Sequence, residues 1–502
     1  MGNNTDHDAT VRKISAAVAK YYVQGAKYRI FHGSSNSTRP PHSGNYVDIS
    51  SLNRILEINT ENMTATVEPN VSMDTLVQAT ISRGLIPPIV MEFPGITVGG
   101  SFAGSSGEST SWKFDSLNEL VCEIEVVLGN GDVITASPTE NADLFEGIGG
   151  SLGTLGIITK GTLQLVHAPK YVRLAYHQHT TIESAVAAIK EATSDRSNDY
   201  IDGIVFSRDH SVVMLGKGTN EVAPGCSVRT FSKAWDNWFY LHVQDQPRTE
   251  VAVDYIPLAE YLFRYDRGSF WMAKYALEYW GFIPSNRLTR AIFDDMLHTR
   301  PLYRAMQRTN SSSLTLVQDI SFPYDTVCSF MHYVADQFEI WPLWLCPLPA
   351  VPGPTFHPHS VDENGKPVPM LNVGVWGQGP ADVYKSVESN RDLEMKAVEL
   401  RGRKVLYAHA YYTEEEFWKI YGKEWYDKLR TKYKATMIPS AYEKVKVDVA
   451  EFKQESPMTR MRMQWPLTGV LGVFYAMASS DIRAHHRLPI SSCVVPDSDK
   501  SK

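Results

Sequence analysis

The chain has 502 residues, of which 43% are hydrophobic and 21% are charged. This length exceeds one ordinary hydrophobic core, so a soluble globular protein of two or more domains is expected. The formal net charge of −7 argues against nucleic acid as the main partner, because phosphate binding needs a concentrated basic face. The five cysteines are scattered without a CxxC pair, which indicates reduced thiols in an intracellular protein.

The first forty residues are predicted to form a helix, a strand and a loop. Residues 11–22 (VRKISAAVAKYY) have a helical pattern, and YRI at 28–30 is a short β-prone run. FHGSSNSTRP at 31–40 follows at once and is poor in large side chains. No apolar stretch precedes the helix, so neither a secretory signal nor an N-terminal membrane anchor is expected.

Strands and two further glycine-rich stretches are predicted as far as residue 165. The predicted elements are a strand at 46–50, a hairpin at 54–70, a helix at 75–84 and a hairpin at 120–137. Asn130-Gly131 supplies the turn of the second hairpin. GITVGGSFAGSSGESTS at 95–111 and GGSLGTLG at 149–156 each adjoin a strand. Three such stretches in one β-rich module are unlike ordinary surface turns.

The glycine-rich stretches indicate a dinucleotide site. Glycine lets backbone N–H groups approach an anion without a Cβ in the way, and Ser and Asn add hydroxyl and amide donors. None of the stretches matches the P-loop, and none places G-x-G-x-x-G between a strand and a helix with a following acidic residue. A Rossmann site is therefore disfavoured.

The order HGSSNS, PGITVGGSFAGSSGES and ELVCEIEVVLGNGDVITASPTENADLFEGIGGSLGTLGIITKGTL resembles the FAD-binding domain of the vanillyl-alcohol oxidase / p-cresol methylhydroxylase superfamily. The resemblance implies an α+β fold of two domains, a PCMH-type FAD-binding domain and a second α+β substrate (cap) domain. It implies FAD contacts from His32, Gly33, Ser34, Ser35, Asn36, Ser37, Thr97, Gly99, Gly100, Gly104, Ser105, Ser106, Gly153, Gly156 and Ile157. Because the deep part of the first loop and the GGSFAGSSG segment contain neither His nor Cys, the flavin is expected to be non-covalent.

The order of predicted strands and helices changes from residue 171 onwards. A β-α-β-β order is predicted twice, which favours one mixed or antiparallel sheet with helices on one face. Residues 255–309 are aromatic and helical, as in a core or in the wall of a lipophilic pocket. The expected domains are 1–170 for FAD binding, 171–404 for the substrate (cap) domain, 405–453 for a C-terminal helical segment closing on the active site and 454–502 for an apolar tail.

Four later segments narrow the resemblance. YIPLAEYLFRYDRGSFW, WPLWLCPLPAVPGPTFHP, VLYAHAYYTEEEFWKIYG and WYDKLRTKY are similar in order and spacing to the Δ24-sterol reductases, and the similarity covers roughly residues 28–447. It implies reduction of an isolated carbon–carbon double bond in a lipophilic, sterol-like or terpenoid substrate, with NADPH as electron donor. The chain departs from that family in lacking the usual initial membrane-spanning segment, and in carrying Trp112 and His409 where a histidine and an aspartate are usual.

Reducing an unactivated alkene needs an acid that protonates one carbon as hydride reaches the other. The predicted catalytic residues are His409, Tyr411 and Tyr412, with Tyr265 and Asp266 behind them. A structural hydrogen bond is the competing interpretation for each. No Ser/His/Asp triad, metal-ligand cluster or carboxylate pair can be read from the spacing.

The uncharged run WPLTGVLGVFYAMASS at 465–480 is shorter than the ~20 residues that a bilayer-crossing helix needs. It is expected to lie on a membrane surface, to cover a pocket mouth or to pack as an ordinary helix. The protein is accordingly expected in the cytoplasm, either free or peripheral on an intracellular membrane. Two other functions stay open at this stage: an FAD-dependent oxidase, desaturase or oxidative cyclase of a specialised metabolite, and a non-catalytic lipid-binding protein on a flavin fold.

Overall fold

The computed structural model describes residues 2–34, 44–114, 120–309, 315–380, 382–447, 466–487 and 489–496. Its first part contains α1 (Gly2–Gln24), β1 (Arg29–Phe31), β2 (Tyr46–Asp48), β3 (Ile55–Asn59), β4 (Thr64–Val67), α2 (Met73–Ile81), β5 (Leu85–Ile86), α3 (Val98–Ala103), α4 (Ser111–Phe114), β6 (Val121–Val127), β7 (Val133–Ala136), α5 (Ala142–Ile148), β8 (Ile157–Gln164) and β9 (Val166–His167). β1 and β2 pair in parallel beside a five-stranded antiparallel sheet of order β3-β4-β8-β6-β7. The first helix is longer than the predicted 11–22.

The predicted Asn130-Gly131 turn joins β6 to β7, and the first helix packs against it. Gly131 has a φ of +95°, and a Cβ there would lie 2.7 Å from the carbonyl oxygen of Ser15. Ser15 in turn donates its hydroxyl to the Gly131 carbonyl at 2.6 Å. At the other end of the helix, His7 bridges the carboxylates of Glu68 and Glu125 at 2.8 and 3.0 Å. The helix is thereby attached to two strands of the sheet.

The second part is built on one eight-stranded sheet. Its elements are β10 (Tyr171–His179), α6 (Ile182–Ala192), β11 (Tyr200–Ser207), β12 (His210–Thr219), α7 (Phe239–Gln244), β13 (Ala252–Pro257), α8 (Leu258–Leu262), α9 (Met272–Glu278), α10 (Arg287–Ile292), α11 (Thr299–Thr309), β14 (Thr315–Pro323), α12 (Val327–Gln337), β15 (Leu343–Leu348), β16 (Met370–Gln378), α13 (Val383–Glu399) and β17 (Arg403–Lys404). The strands lie in the order β13-β10-β12-β11-β15-β16-β14-β17, antiparallel throughout. The strand–helix–strand–strand order occurs twice, as β10-α6-β11-β12 and as β14-α12-β15-β16.

The two-residue period of the strands separates the two faces of this sheet. On one face, Leu343, Leu345 and Val373 join a core under α6, α12 and α13. On the other face, Trp344 and Trp376 belong to a larger core that continues into the first domain. The α+β class with two domains is thus confirmed. The residue borders of the domains stay a prediction.

The C-terminal helices return to the first domain. They are α14 (Glu414–Tyr421), α15 (Lys423–Lys432), α16 (Ala441–Val445), α17 (Leu467–Ala478) and α18 (Ala484–Arg487). Tyr426 of α15 donates its hydroxyl to Thr154 Oγ1 at 2.7 Å, and Arg430 donates to the Thr154 carbonyl at 3.0 Å. α17 packs along α11. Within the described ranges, none of the helices combines the length and the apolarity needed to cross a bilayer.

Candidate active site

A cavity of about 600 Å³ lies where the first domain meets the eight-stranded sheet. Three turns form one side of it, residues 32–34, 97–106 and 152–157, and we call them the turn wall. The predicted FAD-contact residues that line the cavity are His32, Ser34, Thr97, Gly99, Gly100, Gly104, Ser105, Ser106, Gly153, Gly156 and Ile157. Gly33 lies beside the lining, whereas Ser35, Asn36 and Ser37 lie outside the described residues. Their contacts with FAD stay predictions.

Small residues let the turn wall pack closely. Thr97 caps the short α3 helix by accepting a hydrogen bond from the backbone N–H of Gly100 at 3.2 Å. A Cβ on Gly99 would lie 2.5 Å from the Cβ of Pro69, so a larger residue cannot stand there without a shift. Gly153 has a φ of +70°, a conformation that glycine adopts without strain. These positions keep backbone, rather than side chains, at the cavity surface.

The polar groups of the turn wall fit a dinucleotide cofactor. Ser105 has a φ of +56°, and its hydroxyl is buried without a hydrogen-bond partner among the described residues. A buried hydroxyl of this kind is expected to find a partner, and an acceptor atom of a bound ligand in the cavity would supply one. Lys444 also lines the cavity and donates to the carbonyl of Leu152 beside Gly153, which places a cation near the glycine turn.

Aromatic side chains form the opposite side of the cavity, which we call the aromatic wall: Phe270, Tyr303, Trp344 and Trp376. The ring of Phe270 lies 4.3 Å from that of Trp376 and 5.5 Å from that of Trp344. Trp344 and Trp376 stack on each other with their ring centroids 5.9 Å apart. This face suits a flat or extended apolar molecule, since aromatic surfaces contribute much contact area.

The carboxyl group of Asp319 lines the cavity beside the aromatic wall and accepts two hydrogen bonds. Tyr407 donates its hydroxyl to Asp319 Oδ2 at 2.6 Å, and Asn372 donates to Oδ1 at 2.8 Å. Burial raises the pKa of Asp319 to about 6, although these two donors oppose the rise. Burial and the neighbouring Asp319 raise the pKa of Tyr407 well above its usual range. The carboxylate is therefore held as an anion at neutral pH, and the tyrosine keeps its proton.

A second carboxyl group, Glu92, lines the cavity just before the turn 97–106. Its neighbour Phe93 packs edge-on against Phe270 and Tyr303, with ring centroids 5.5 and 6.1 Å apart. Burial raises the pKa of Glu92 to about 8, and the charges of Glu108 and Asp319 add to the rise. Glu92 and Asp319 are the two carboxyl groups among the described residues that line the cavity.

Three of the predicted catalytic residues, His409, Tyr411 and Tyr412, do not line the cavity. The backbone here is bound to a buried ion pair: Glu394 accepts from the Tyr411 N–H at 2.8 Å, and Lys404 donates to the His409 carbonyl. Tyr407, four residues before Tyr411, is the residue of this motif whose hydroxyl reaches the cavity group at Asp319. His409, Tyr411 and Tyr412 thus lie outside the cavity lining, and their role as proton donors stays a prediction.

Tyr265, the fourth predicted catalytic residue, lies behind the aromatic wall. It stacks on Phe270 at 3.9 Å and donates its hydroxyl to Asp202 at 2.9 Å. Asp202 also pairs with the buried Arg264 at 2.8 Å. Asp266, predicted to lie behind the motif, bonds His298 at 2.6 Å. Neither side chain lines the cavity, and the catalytic role of Tyr265 stays a prediction.

Glu92, Asp319 and Tyr303 were missed because a single carboxyl group or tyrosine in a loop, a strand or a helix has no recognisable spacing. One signal was available for Asp319. In β14 the apolar residues Leu316 and Ile320 face the helices, so the two-residue period puts Asp319 on the opposite, enclosed face. A charged residue on an enclosed face is a candidate site residue.

Comparisons with known proteins agree with the geometry. Residues 8–137 match the model of the FAD binding domain family. Delta(24)-sterol reductase of Homo sapiens is 28% identical over 458 residues, which cover 88% of this chain and 86% of that protein. The Arabidopsis thaliana protein of the same name is 28% identical over 426 residues, 78% of this chain and 74% of that protein. A glycolate oxidase subunit of Bacillus subtilis is 33% identical over 160 residues, 31% of this chain and 34% of that protein.

These matches and the turn wall define the class: the protein is an FAD-dependent oxidoreductase with a PCMH-type FAD-binding domain. Within that class, it is similar to the Delta(24)-sterol reductases of animals over 88% of the chain and of Arabidopsis thaliana over 78%. The similarity to the bacterial oxidase subunit covers a much shorter stretch.

Proposed function

We propose that the protein reduces a carbon–carbon double bond of a lipophilic, sterol-like or terpenoid substrate, with NADPH as electron donor. The observation that carries the proposal is that the turn wall of the FAD-binding domain and the aromatic wall of the cap line the same cavity. The similarity to Delta(24)-sterol reductases over 88% of the chain supports the same reaction class.

The two walls have different roles in such a reaction. When bound, FAD supplies hydride transfer, and its diphosphate would lie against the turn wall, near Ser105 and Lys444. Phe270, Trp344 and Trp376 orient an apolar substrate by contact and exclude water from it. The protein must then provide one proton for each hydride that the substrate receives.

The C-terminal helix α17 supports a lipophilic substrate in two ways. Gly469, Gly472, Val473 and Ala476 line the cavity from one face of this helix. The opposite face exposes Val470, Phe474 and Met477, with about 51, 61 and 61% of their surfaces accessible. We include in the proposal that this face rests on a membrane surface, from which a lipophilic substrate would enter beneath the helix.

Anaerobic mixing tests the proposal. The purified protein should be yellow, NADPH should bleach the flavin, and a lipophilic alkene should then restore the colour while the alkane forms. Consumption of O₂ with substrate alone would instead indicate the oxidase. A colourless protein that takes up no FAD would contradict both reactions. Acid precipitation that releases the flavin into solution would support non-covalent binding.

A further inference from the structure

Glu92 is a carboxyl group in apolar surroundings that the structure does not otherwise use. It lines the cavity between the buried residues Met91 and Phe93, and the rings of Phe270 and Tyr303 lie against Phe93. Among the described residues, no side chain donates a hydrogen bond to its carboxyl group. A carboxyl group without a side-chain partner in such a place is costly to fold unless it is neutral or serves a ligand.

The positively charged group and the carboxyl groups of the cavity lie in different parts of it. The cationic Lys444 lies at the glycine turn beside Leu152 and Gly153, where a diphosphate is expected. The two carboxyl groups, Glu92 and Asp319, lie at the aromatic wall, where an apolar substrate is expected. The acids of this cavity therefore face the substrate, and the cation faces the cofactor.

The two carboxyl groups differ in what surrounds them. Asp319 accepts hydrogen bonds from Tyr407 and Asn372, which stabilise its ionised form. Glu92 has no side-chain donor. Its own backbone N–H and the charge of Arg264 favour its ionised form, but burial and the negative charges of Glu108 and Asp319 outweigh them and raise its pKa. The pKa values of about 6 and about 8 follow from this difference, so at neutral pH one group is an anion and the other keeps its proton. Pairs whose environments separate their pKa values in this way are typical of acid–base sites.

Resting on the function proposed above, we propose that Glu92 is the general acid that protonates one carbon of the substrate's double bond. In that step the π bond breaks and two C–H bonds form, one with the Glu92 proton and one with the hydride whose electrons NADPH provides. Glu92 is left as a carboxylate and regains its proton from solvent. Asp319 acts as a positioning residue, because its negative charge keeps the proton on Glu92 until the substrate takes it, and the hydrogen bond from Tyr407 holds Asp319 in its ionised form.

The test compares Glu92→Gln, which keeps the shape and removes the acid, with the control Glu146→Gln on the exposed surface of α5. In anaerobic single turnovers, NADPH should reduce the flavin of both variants at the wild-type rate, because that half-reaction needs no Glu92 proton. Reoxidation by a lipophilic alkene should be at least about 100-fold slower in Glu92→Gln alone, the usual contribution of a positioned acid. Glu92→Asp should restore part of that rate.

A second readout does not depend on turnover. A carboxyl group whose pKa is higher in the folded than in the unfolded protein contributes stability below the unfolded pKa of about 4.3 and loses it as the pH rises through about 8. The melting temperature of wild type should therefore fall relative to that of Glu92→Gln across this range. Glu146→Gln should follow the wild type.

The outcomes distinguish a failure of the Glu92 assignment from a failure of the proposed function. A wild type that reduces alkenes, together with a Glu92→Gln variant reoxidised within about threefold of its rate, overturns the assignment of Glu92 and leaves the function standing. Equal pH profiles of stability for wild type and Glu92→Gln overturn it as well. A wild type whose flavin accepts electrons from NADPH but passes them to no alkene overturns both.

Discussion

The two walls of the cavity are built in different ways. The turn wall consists of three short segments, each contiguous in sequence and each dominated by glycine, serine and threonine. The aromatic wall draws Phe270 from the turn between α8 and α9, and Tyr303, Trp344 and Trp376 from α11, β15 and β16; Asp319 comes from β14. One wall presents backbone to the ligand, and the other presents large side chains.

The two walls are expected to respond differently to substitution. A backbone surface depends on local conformation, so a single added methyl group alters it. A side-chain surface is at the same time part of the hydrophobic core, since Phe270, Trp344 and Trp376 are all buried. Changes in the aromatic wall should therefore affect folding and substrate together, whereas changes in the turn wall should affect the cofactor first.

The largest expected effect comes from removing an aromatic ring. Trp376→Ala should lower the free energy of unfolding by about 3–5 kcal/mol, the usual cost of truncating a large buried aromatic side chain. The FAD content of the protein that still folds should stay close to that of wild type, because the turn wall is untouched. Chemical denaturation and flavin absorbance measure the two effects. Loss of FAD with unchanged stability would reverse the roles of the two walls.

A pH effect of similar size is expected beside the aromatic wall, at His298. Burial lowers its pKa, but Asp266 and Asp294 outweigh burial and raise it to about 9; His485 stacks on its ring. The folded pKa of His298 exceeds the unfolded value of about 6.5. The interaction of protonated His298 with Asp266 and Asp294 therefore stabilises the protein below pH 6.5, and this stability is lost as the pH rises to about 9. The loss should be on the order of 3 kcal/mol.

Unfolding of His298→Gln should lack this pH dependence. His332→Gln is the matched control, because His332 forms a half-exposed pair with Glu183, and surface pairs contribute little. A steep fall between pH 6.5 and 9 that survives in His298→Gln would assign the effect to other groups.

The exposed face of α17 should give the next effect. Phe474→Asp combined with Met477→Asp should weaken binding to phospholipid vesicles by roughly tenfold or more, because burying one large apolar side chain contributes about 1.5–3 kcal/mol. Vesicle sedimentation measures the bound fraction. Val23→Asp is the control, since Val23 is 86% exposed on α1, away from the cavity. Equal weakening by Val23→Asp, or no binding by wild type, would contradict a membrane contact through α17.

The smallest expected effect comes from substituting a glycine of the turn wall, and a glycine elsewhere with a similar φ serves as the control. Gly153 and Gly365 have φ values of +70° and +77°, but only Gly153 lines the cavity. Gly153→Ala and Gly365→Ala should each cost about 1–2 kcal/mol of stability without cofactor, because both force alanine into a left-handed conformation. Only Gly153→Ala should also weaken FAD binding, by about tenfold, as measured by titration of the apoprotein. Equal FAD affinity in both variants would show that the turn at 153 does not contact the cofactor.

The architecture and the turn wall could be predicted from local sequence. The repeated β-α-β-β order, the Asn130-Gly131 turn and the glycine-rich stretches depend on local conformation and on hydrophobic period, which neighbouring residues specify. The sequence also predicted site residues in the segment VLYAHAYY, and Tyr407 of that segment lines the cavity and donates to Asp319.

Which acids share the cavity could not be predicted from sequence, because it depends on long-range packing. Glu92 and Asp319 are 227 positions apart in the printed sequence, and their neighbours give no spacing from which a shared site could be read. The packing of β14 against β16 and of residues 89–93 against the cap brings both groups to one enclosed space. There, burial and mutual charge set their pKa values, and those quantities exist only once the chain has folded.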